Sequence, residues 1–299
     1  MRILLTGGTG LIGRALCRFW RARGDEVLVW SRQSARVAAL CSGAQGIADL
    51  AALGKAEHFD AVVNLAGAPI ADARWTAARR ETLWNSRVLL TRRLVDWMLQ
   101  LQRPPAVLLS ASAVGWWGDA GERVLDESSP AGVPDFGSTL CAAWEAEALR
   151  AREAGVRVLL LRIAAVLAAE GGMLQRLLPP FRLGLGARLG SGQQWMPWIH
   201  IDDVVACADF LLQHADCAGV FAACAPHPVR NAEFTQALAR AVRRPALLAV
   251  PAWALRLALG EMAVLLLGSQ RVQPVRTLQA GYRFQQPELE AALAQLLRR

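Results

Sequence analysis

An α/β protein built on a doubly wound parallel sheet is what this 299-residue sequence predicts, and three observations carry the prediction. Short apolar runs alternate with helical patterns over residues 1–165, as a parallel sheet with right-handed crossovers requires. The run 156–163 (VRVLLLRI) is almost wholly apolar, so it reads as a strand covered on both faces. A glycine-rich turn stands directly between the first apolar run and the first helical pattern.

Each element follows from local chemistry. The apolar run 1–5 breaks at Thr6-Gly7-Gly8-Thr9-Gly10, and a helical pattern through Leu11, Ile12, Leu16 and Phe19 follows until Gly24 stops it. Glu26–Trp30 (EVLVW) is a second strand, and 61–65 (AVVNL) a later one that ends in Asn64-Leu65-Ala66-Gly67. Helical stretches over 76–100 give way at Pro104-Pro105 to a strand at 106–110, and a helix over 140–154 leads into 156–163. From Glu170 onward the pattern changes to Gly/Pro-rich and amphipathic stretches, closing with a helix over 287–297. The expected organisation is a sheet domain over 1–165 to which 200–225 returns. Most of 166–299 is expected to form a small C-terminal substrate or lid lobe.

Composition bounds the function. With 54% hydrophobic and 19% charged residues, the chain can bury a large core and is not a disordered segment. Its longest apolar stretches, 245–260 and 262–267, are broken by Pro251, Arg256, Gly260 and Glu261, short of the ~20 residues of a membrane span. No membrane partner is therefore expected. The N-terminal apolar stretch is too short for a secretory leader, so a cytoplasmic location is expected. Six scattered cysteines without a CxxC pair, and no histidine at ligand spacing, predict reduced buried thiols and no metal. The net charge of +8 is almost all arginine, because Lys55 is the only lysine. These arginines are dispersed, which argues against nucleic acid, while their forked guanidinium suits phosphate-bearing ligands. A small-molecule substrate is the expected partner, with the chain a monomer or homodimer.

Gly7, Gly10 and Gly13 form GxxGxxG after a buried strand and at the start of a helix, the context of a Rossmann dinucleotide site. The first glycine permits the turn, the second lets backbone approach a pyrophosphate, and the third lets the helix pack on the sheet. Gly7, Gly8, Thr9, Gly10, Leu11, Ile12 and Gly13 would present N–H groups and a helix dipole to the anion. A site for NAD places a carboxylate at the end of the second strand. Here that strand ends Val29-Trp30-Ser31-Arg32, and Ser31 with Arg32 suits a 2′-phosphate, so NADP(H) is the expected cofactor. One charged hydrogen bond of about 1.5–3 kcal/mol sets a roughly tenfold to hundredfold preference.

These residues resemble the extended short-chain dehydrogenase/reductase superfamily, which includes sugar-nucleotide epimerases and dehydratases. The carrying segments are TGGTGLIG at 6–13, NLAG at 64–67, SASAVG at 110–115 and WIHIDDVV at 198–205. Within it the chain is similar to the YfcH-type epimerase-related proteins, sometimes labelled as resembling a cell-division inhibitor. That similarity rests on SRQ after the second strand, WNSR at 84–87, the block 179–203, NAEF at 231–234 and GYRF at 281–284. The resemblance implies a small lobe closing a cleft over the nicotinamide. It places Leu65, Ala66 and Gly67 beside the adenosine and pyrophosphate, Arg87 within reach of the cofactor, and Ser110, Ala111, Arg162 and Ile163 near the nicotinamide. Asp49 would face the adenine, or equally cap a helix.

The superfamily's reaction uses a tyrosine and lysine spaced YxxxK, and the chain departs from that pattern. Its single tyrosine is Tyr282 and its single lysine Lys55, while Phe136 and Leu140 stand at the matching positions. A proton must then be handled by another group within hydrogen-bond reach of substrate. Ser112 at a strand end is placed to orient a carbonyl, with Asp119, Glu145, His200 or Asp202 as proton suppliers. Against these stand a turn for Asp119, a solvated helix face for Glu145, a satisfied core position for His200 and a helix cap for Asp202 and Asp203. Trp116, Trp117, Trp195 and Trp198 fall in segments expected to border the cleft, where they could stack on a flat substrate. Two readings stay open: an NADP(H)-dependent oxidoreductase or epimerase-like enzyme without the phenol, and a catalytically degenerate NADP(H)-binding regulatory module.

Overall fold

The structure is a computed structural model that describes residues 1–298. Seven strands build the main sheet: β1 (Arg2–Thr6), β2 (Glu26–Trp30), β3 (Gln45–Ile47), β4 (Ala61–Asn64), β5 (Val107–Ala113), β6 (Arg157–Ile163) and β7 (Gly219–Ala223). Their order is β7-β6-β5-β4-β1-β2-β3, and every pair is parallel. The strand succession turns back beside β1, as expected of a doubly wound α/β fold. That reversal opens a crevice at the carboxyl ends of β1 and β4.

The alternation of side chains along each strand divides the core into two layers. Ile3, Leu5, Val27, Val29, Leu109, Leu159 and Leu161 point to one face, where α1 (Leu11–Arg23) supplies Leu16 and Trp20 and α2 (Ser34–Leu40) supplies Val37. Leu4, Leu28, Val62, Leu108 and Leu160 point to the other. There the chain runs through α3 (Ala77–Trp84), a π-turn at Asn85–Leu89 and α4 (Leu90–Met98), and α5 (Phe136–Leu149) packs alongside. The expected helical stretch 76–100 thus contains a one-turn widening. The expected strand 106–110 extends to Ala113, and α5 starts at Phe136 rather than 140, held by a capping box between Asp135 and Ser138.

After β6 the chain leaves the sheet in α6 (Gly172–Arg182), then returns through α7 (Ile201–Gln213) and β7. Asp209 on α7 accepts from Trp20 Nε1 at 2.8 Å and from Arg23 at 2.7 Å, which fixes α7 against α1. A separate apolar cluster joins α6 through Leu174, Leu178 and Phe181 to α8 (Asn231–Ala241) and to the last helix, Leu289–Leu297. One tie between the C-terminal segment and the sheet domain is Asp203 on α7, which is fully buried. It accepts from Tyr282 Oη at 2.8 Å and from the backbone N–H groups of Gln285 and Gln286. Among the described residues no helix is long and apolar enough to cross a membrane. All six cysteines are buried and free.

Candidate active site

The glycine turn closes on itself. Gly7 has φ +70°, and a Cβ there would stand 2.6 Å from the Leu65 carbonyl, so the turn lies against the end of β4. A Cβ on Gly13 would meet the Gly7 oxygen at 2.3 Å and Gly8 Cα at 2.6 Å. Gly13 therefore packs α1 on the turn's own backbone. The residue that packs on the strands is Gly8, outside the three-glycine pattern, whose Cβ would reach Val29 Cγ1 at 2.7 Å. The sheet contact expected of the third glycine is made by Gly8. Gly10 is the N-cap of α1, with neither a side-chain cap nor an acid in the first turn. Unpaired N–H groups and the positive end of the helix dipole therefore face the crevice.

Beneath the turn lies a network that spacing alone did not disclose. Thr6 Oγ1 donates to Asn64 Oδ1 at 2.7 Å and accepts the N–H groups of Leu65 and Ala66. Asn64 Nδ2 in turn donates to Thr91 Oγ1 and Ser110 Oγ. Ser110 is completely buried, its hydroxyl engaged in this network. The signal available in sequence was a buried polar residue at the end of each of two adjacent apolar strands.

At the end of β2, Ser31 Oγ accepts from the Gln33 N–H, while the exposed Arg32 has no hydrogen-bond or ion-pair partner among the described residues. Asp49 accepts from Ala51 N–H at 2.9 Å and pairs with Arg93 at 2.6 Å, and these contacts hold its carboxyl below the usual range. It is a helix cap. Arg87 sits in the π-turn, a widening that rotates its side chain over Gly67, where an added Cβ would lie 2.9 Å from Arg87 Cζ. The guanidinium lies 5.5 Å from the Trp144 ring centroid and has no carboxylate partner, and burial pulls its pKa down to about 10.

The chemical end is organised differently. Ser112 Oγ donates to Glu145 Oε1 at 2.6 Å, and Arg162 grips the same carboxylate through Nε at 2.8 Å and Nη2 at 2.9 Å. All three residues are buried, and Trp116 stacks on the Arg162 guanidinium at 3.5 Å. Glu145 is therefore not on a solvated helix face, and it is held by a cation. Asp119 accepts from Gly121 N–H and Ser269 N–H, clamping its turn to the C-terminal segment. His200 caps α7, its Nδ1 accepting from Asp202 N–H at 3.1 Å, and burial lowers its pKa. Asp202 and Asp203 thus do not cap the helix; the histidine before them does.

The structure brings Ser112, Glu145 and Arg162 together and keeps Asp119 and His200 apart from them as clamps. Leu65, Ala111 and Ile163 meet in one apolar cluster with Trp75, Phe136, Trp144 and Met262. Phe136 packs edge-on against Trp75 at 5.1 Å, so the position matching a tyrosine holds an aromatic wall without a hydroxyl. Trp117 and Trp198 are buried in the core, and Trp195 lies between Arg230 and Arg271. Those three tryptophans do not line a substrate surface, contrary to expectation, because arginines and the core already cover their faces.

The profile of the NAD dependent epimerase/dehydratase family matches residues 3–223. The chain belongs to that family. A second profile, a domain of unknown function (DUF1731), matches residues 250–296 of this epimerase-family chain. Epimerase family protein SDR39U1 of Mus musculus is 38% identical, over 98% of this chain and 98% of that protein. The chloroplastic SDR39U1 homolog of Arabidopsis thaliana is 37% identical over 99% of this chain and 87% of its own length. A crystal structure of human SDR39U1 with NADPH matches with a TM-score of 0.91 at 36% identity, covering 99% of each chain. The complex of MoeE5 with UDP-glucuronic acid and NAD, at 21% identity and a TM-score of 0.79, shares the fold. The extended superfamily read from the motifs is thereby established, while none of these names carries the YfcH-type or cell-division label.

Proposed function

We propose that this epimerase-family protein binds NADP(H) and works as an oxidoreductase or epimerase-like enzyme on a small-molecule substrate, without phenol-mediated proton transfer. The observation that carries the reading is the acid-free, uncapped N-terminus of α1 beside an unpartnered Arg32, with no carboxylate at the end of β2. The NADPH in the human relative's structure supports it. When bound, the nicotinamide supplies or accepts a hydride. The residues that would hold it are Gly7 to Gly13 around the pyrophosphate, Ser31 and Arg32 at a 2′-phosphate, and Leu65 to Gly67 along the dinucleotide. Arg87, Ala111, Ile163 and the Ser110 backbone would form the inner edge. Arg87 is suited to an anionic or carbonyl oxygen, because a half-buried guanidinium without a counterion regains its lost hydration on pairing.

Ser112, Glu145 and Arg162 act in this reading as positioning residues that make the floor of the cleft rigid. Asp119 and His200 fix its surroundings. The reduced, buried cysteines suit a cytoplasmic setting. The test is a fluorescence titration of cofactor-free protein with NADPH and with NADH, repeated on Arg32→Ala. NADPH should bind roughly tenfold to hundredfold more tightly, and the variant should lose that margin. If neither nucleotide binds, the proposal fails; equal affinities would place the 2′-phosphate contact elsewhere.

A further inference from the structure

One face of the C-terminal lobe is apolar, cationic and uncovered by any other of the described residues. Two segments run parallel on it, with Leu248 opposite Ala187 and Val250 opposite Leu189, and Arg244 Nε donates to the Arg182 carbonyl at 3.1 Å. Leu183 is 75% exposed and Leu247 88%. The second segment turns at Pro251 into α9 (Ala252–Leu259), none of whose residues is buried. On it Trp253, 68% exposed, and Leu257, 73% exposed, stand one helical turn apart on the same side. An exposed apolar set of this extent marks an interaction surface.

The two segments that carry it hold charge of one sign. Residues 171–201 and 234–260 contain seven arginines and no aspartate or glutamate. Arg176 and Arg240 reach out to Asp72 and Glu290. Arg182, Arg188, Arg243, Arg244 and Arg256 are exposed, and none has a carboxylate partner among the described residues.

We propose that this face docks the protein on an anionic lipid bilayer. Leu183, Leu247, Trp253 and Leu257 enter the boundary between headgroups and acyl chains, and the five arginines meet lipid phosphates. A second copy of the chain fits poorly, since a two-fold contact sets arginines against arginines with no acid on either side. An acidic protein answers the charge but needs concavities matched to four protruding side chains, whereas a fluid bilayer adapts to them. Tryptophan at the rim suits the membrane interface. The expectation of no membrane partner came from the lack of a spanning segment, and a protein lying on a bilayer needs none.

Flotation of the full chain with vesicles tests the proposal, using phosphatidylcholine alone and equal parts phosphatidylcholine and phosphatidylglycerol. The protein should float with the anionic vesicles only, and raised salt should release it. Trp253→Glu with Leu257→Glu should abolish flotation. Arg243→Gln, Arg244→Gln and Arg256→Gln together should weaken binding roughly a hundredfold, as each arginine near an anionic surface contributes roughly fivefold. All five positions are exposed, and unchanged melting temperatures verify that the variants fold. Failure to float with anionic vesicles, equal binding to neutral ones, or retained flotation of the Trp253/Leu257 variant overturns the proposal. So does a wild-type dimer in sedimentation equilibrium that the same variant converts to monomer, which would identify a second copy as the occupant.

Discussion

The nucleotide end and the chemical end of the crevice lie on one sheet with β4 between them, yet they treat polar groups in opposite ways. Around the glycine turn, the first N–H groups of α1 and the Arg32 side chain are left without side-chain partners, and the Arg87 guanidinium, which reaches only Ser86 Oγ at 3.5 Å, has no carboxylate. Around Ser112 the charges are paired: Glu145 is held by a hydroxyl and by two donors of Arg162, and only Arg162 Nη1 is left without a partner. Groups left open are available to a ligand, and groups closed on one another stabilise the fold. The contrast explains how a family member can lack the tyrosine–lysine pair and keep a well-formed crevice. Phe136 and Trp75 fill the phenol's place by packing.

The contrast can be broken from either side. The largest effect is expected from Glu145→Ala, which leaves Arg162 buried and unpaired and should cost about 3–5 kcal/mol in denaturant unfolding. NADPH affinity, measured where the variant is folded, should stay near wild type. A large loss of affinity with intact stability would make Glu145 a ligand-binding group and erase the distinction. Next comes Gly13→Ala. Its methyl must displace the Gly7 carbonyl, so it should cost about 1–3 kcal/mol in stability. The same variant should lose most nucleotide binding, because the turn that presents the N–H groups must shift. Unchanged nucleotide affinity would show that the turn does not hold the dinucleotide.

The smallest effect is one of pH. His200 is kept neutral by burial, with Asp202 and Asp203 opposing the shift, so its folded pKa lies below the unfolded value near 6.5. Protonation then favours the unfolded chain. Stability is fully present above that value and falls as pH drops below it. His200→Asn keeps a side-chain cap and removes the titration, so its melting temperature should fall less between pH 7 and pH 5.5 than that of wild type. Identical slopes would mean that His200 does not titrate differently in the two states.

How much of this was legible depends on how local each feature is. The first strand, the glycine turn and α1 are contiguous, and their patterning follows from nearest-neighbour chemistry. The strand expected over 106–110 stops short of the observed end of β5 at Ala113, across the small residues of Ser110-Ala111-Ser112-Ala113. Strand β6 pairs with all four of these residues and β4 with Ser110 alone, which keeps the stretch in the sheet. Strand β3, one exposed and two half-buried residues, carries no periodicity and is absent from the sequence expectation. The π-turn at Asn85–Leu89 leaves the apolar pattern of a helix almost unchanged, although it directs Arg87. Asp135-x-x-Ser138 was a readable cap that would have moved the start of α5 back to Phe136.

The site divides in the same way. The glycines and the carboxylate-free end of β2 are facts about adjacent residues. The engagement of Glu145 with Ser112 spans 33 positions, that of Tyr282 with Asp203 spans 79, and that of Asp119 with Ser269 spans 150. Spacing along the chain is silent about such pairings. Each candidate acid therefore stood equally open in sequence.

From sequence alone came the alternation that makes a parallel sheet, the dinucleotide turn, the expectation of NADP(H) and the absence of the tyrosine–lysine pair. All of these depend on which residues stand where along a short stretch. Tertiary structure alone decided which polar groups are closed on one another and which remain open, that Gly8 rather than Gly13 meets the sheet, and that an arginine-ringed apolar face stays uncovered. The physical reason is that burial and hydrogen-bond satisfaction belong to groups brought together across the fold, and a charged residue's role follows from what it meets there.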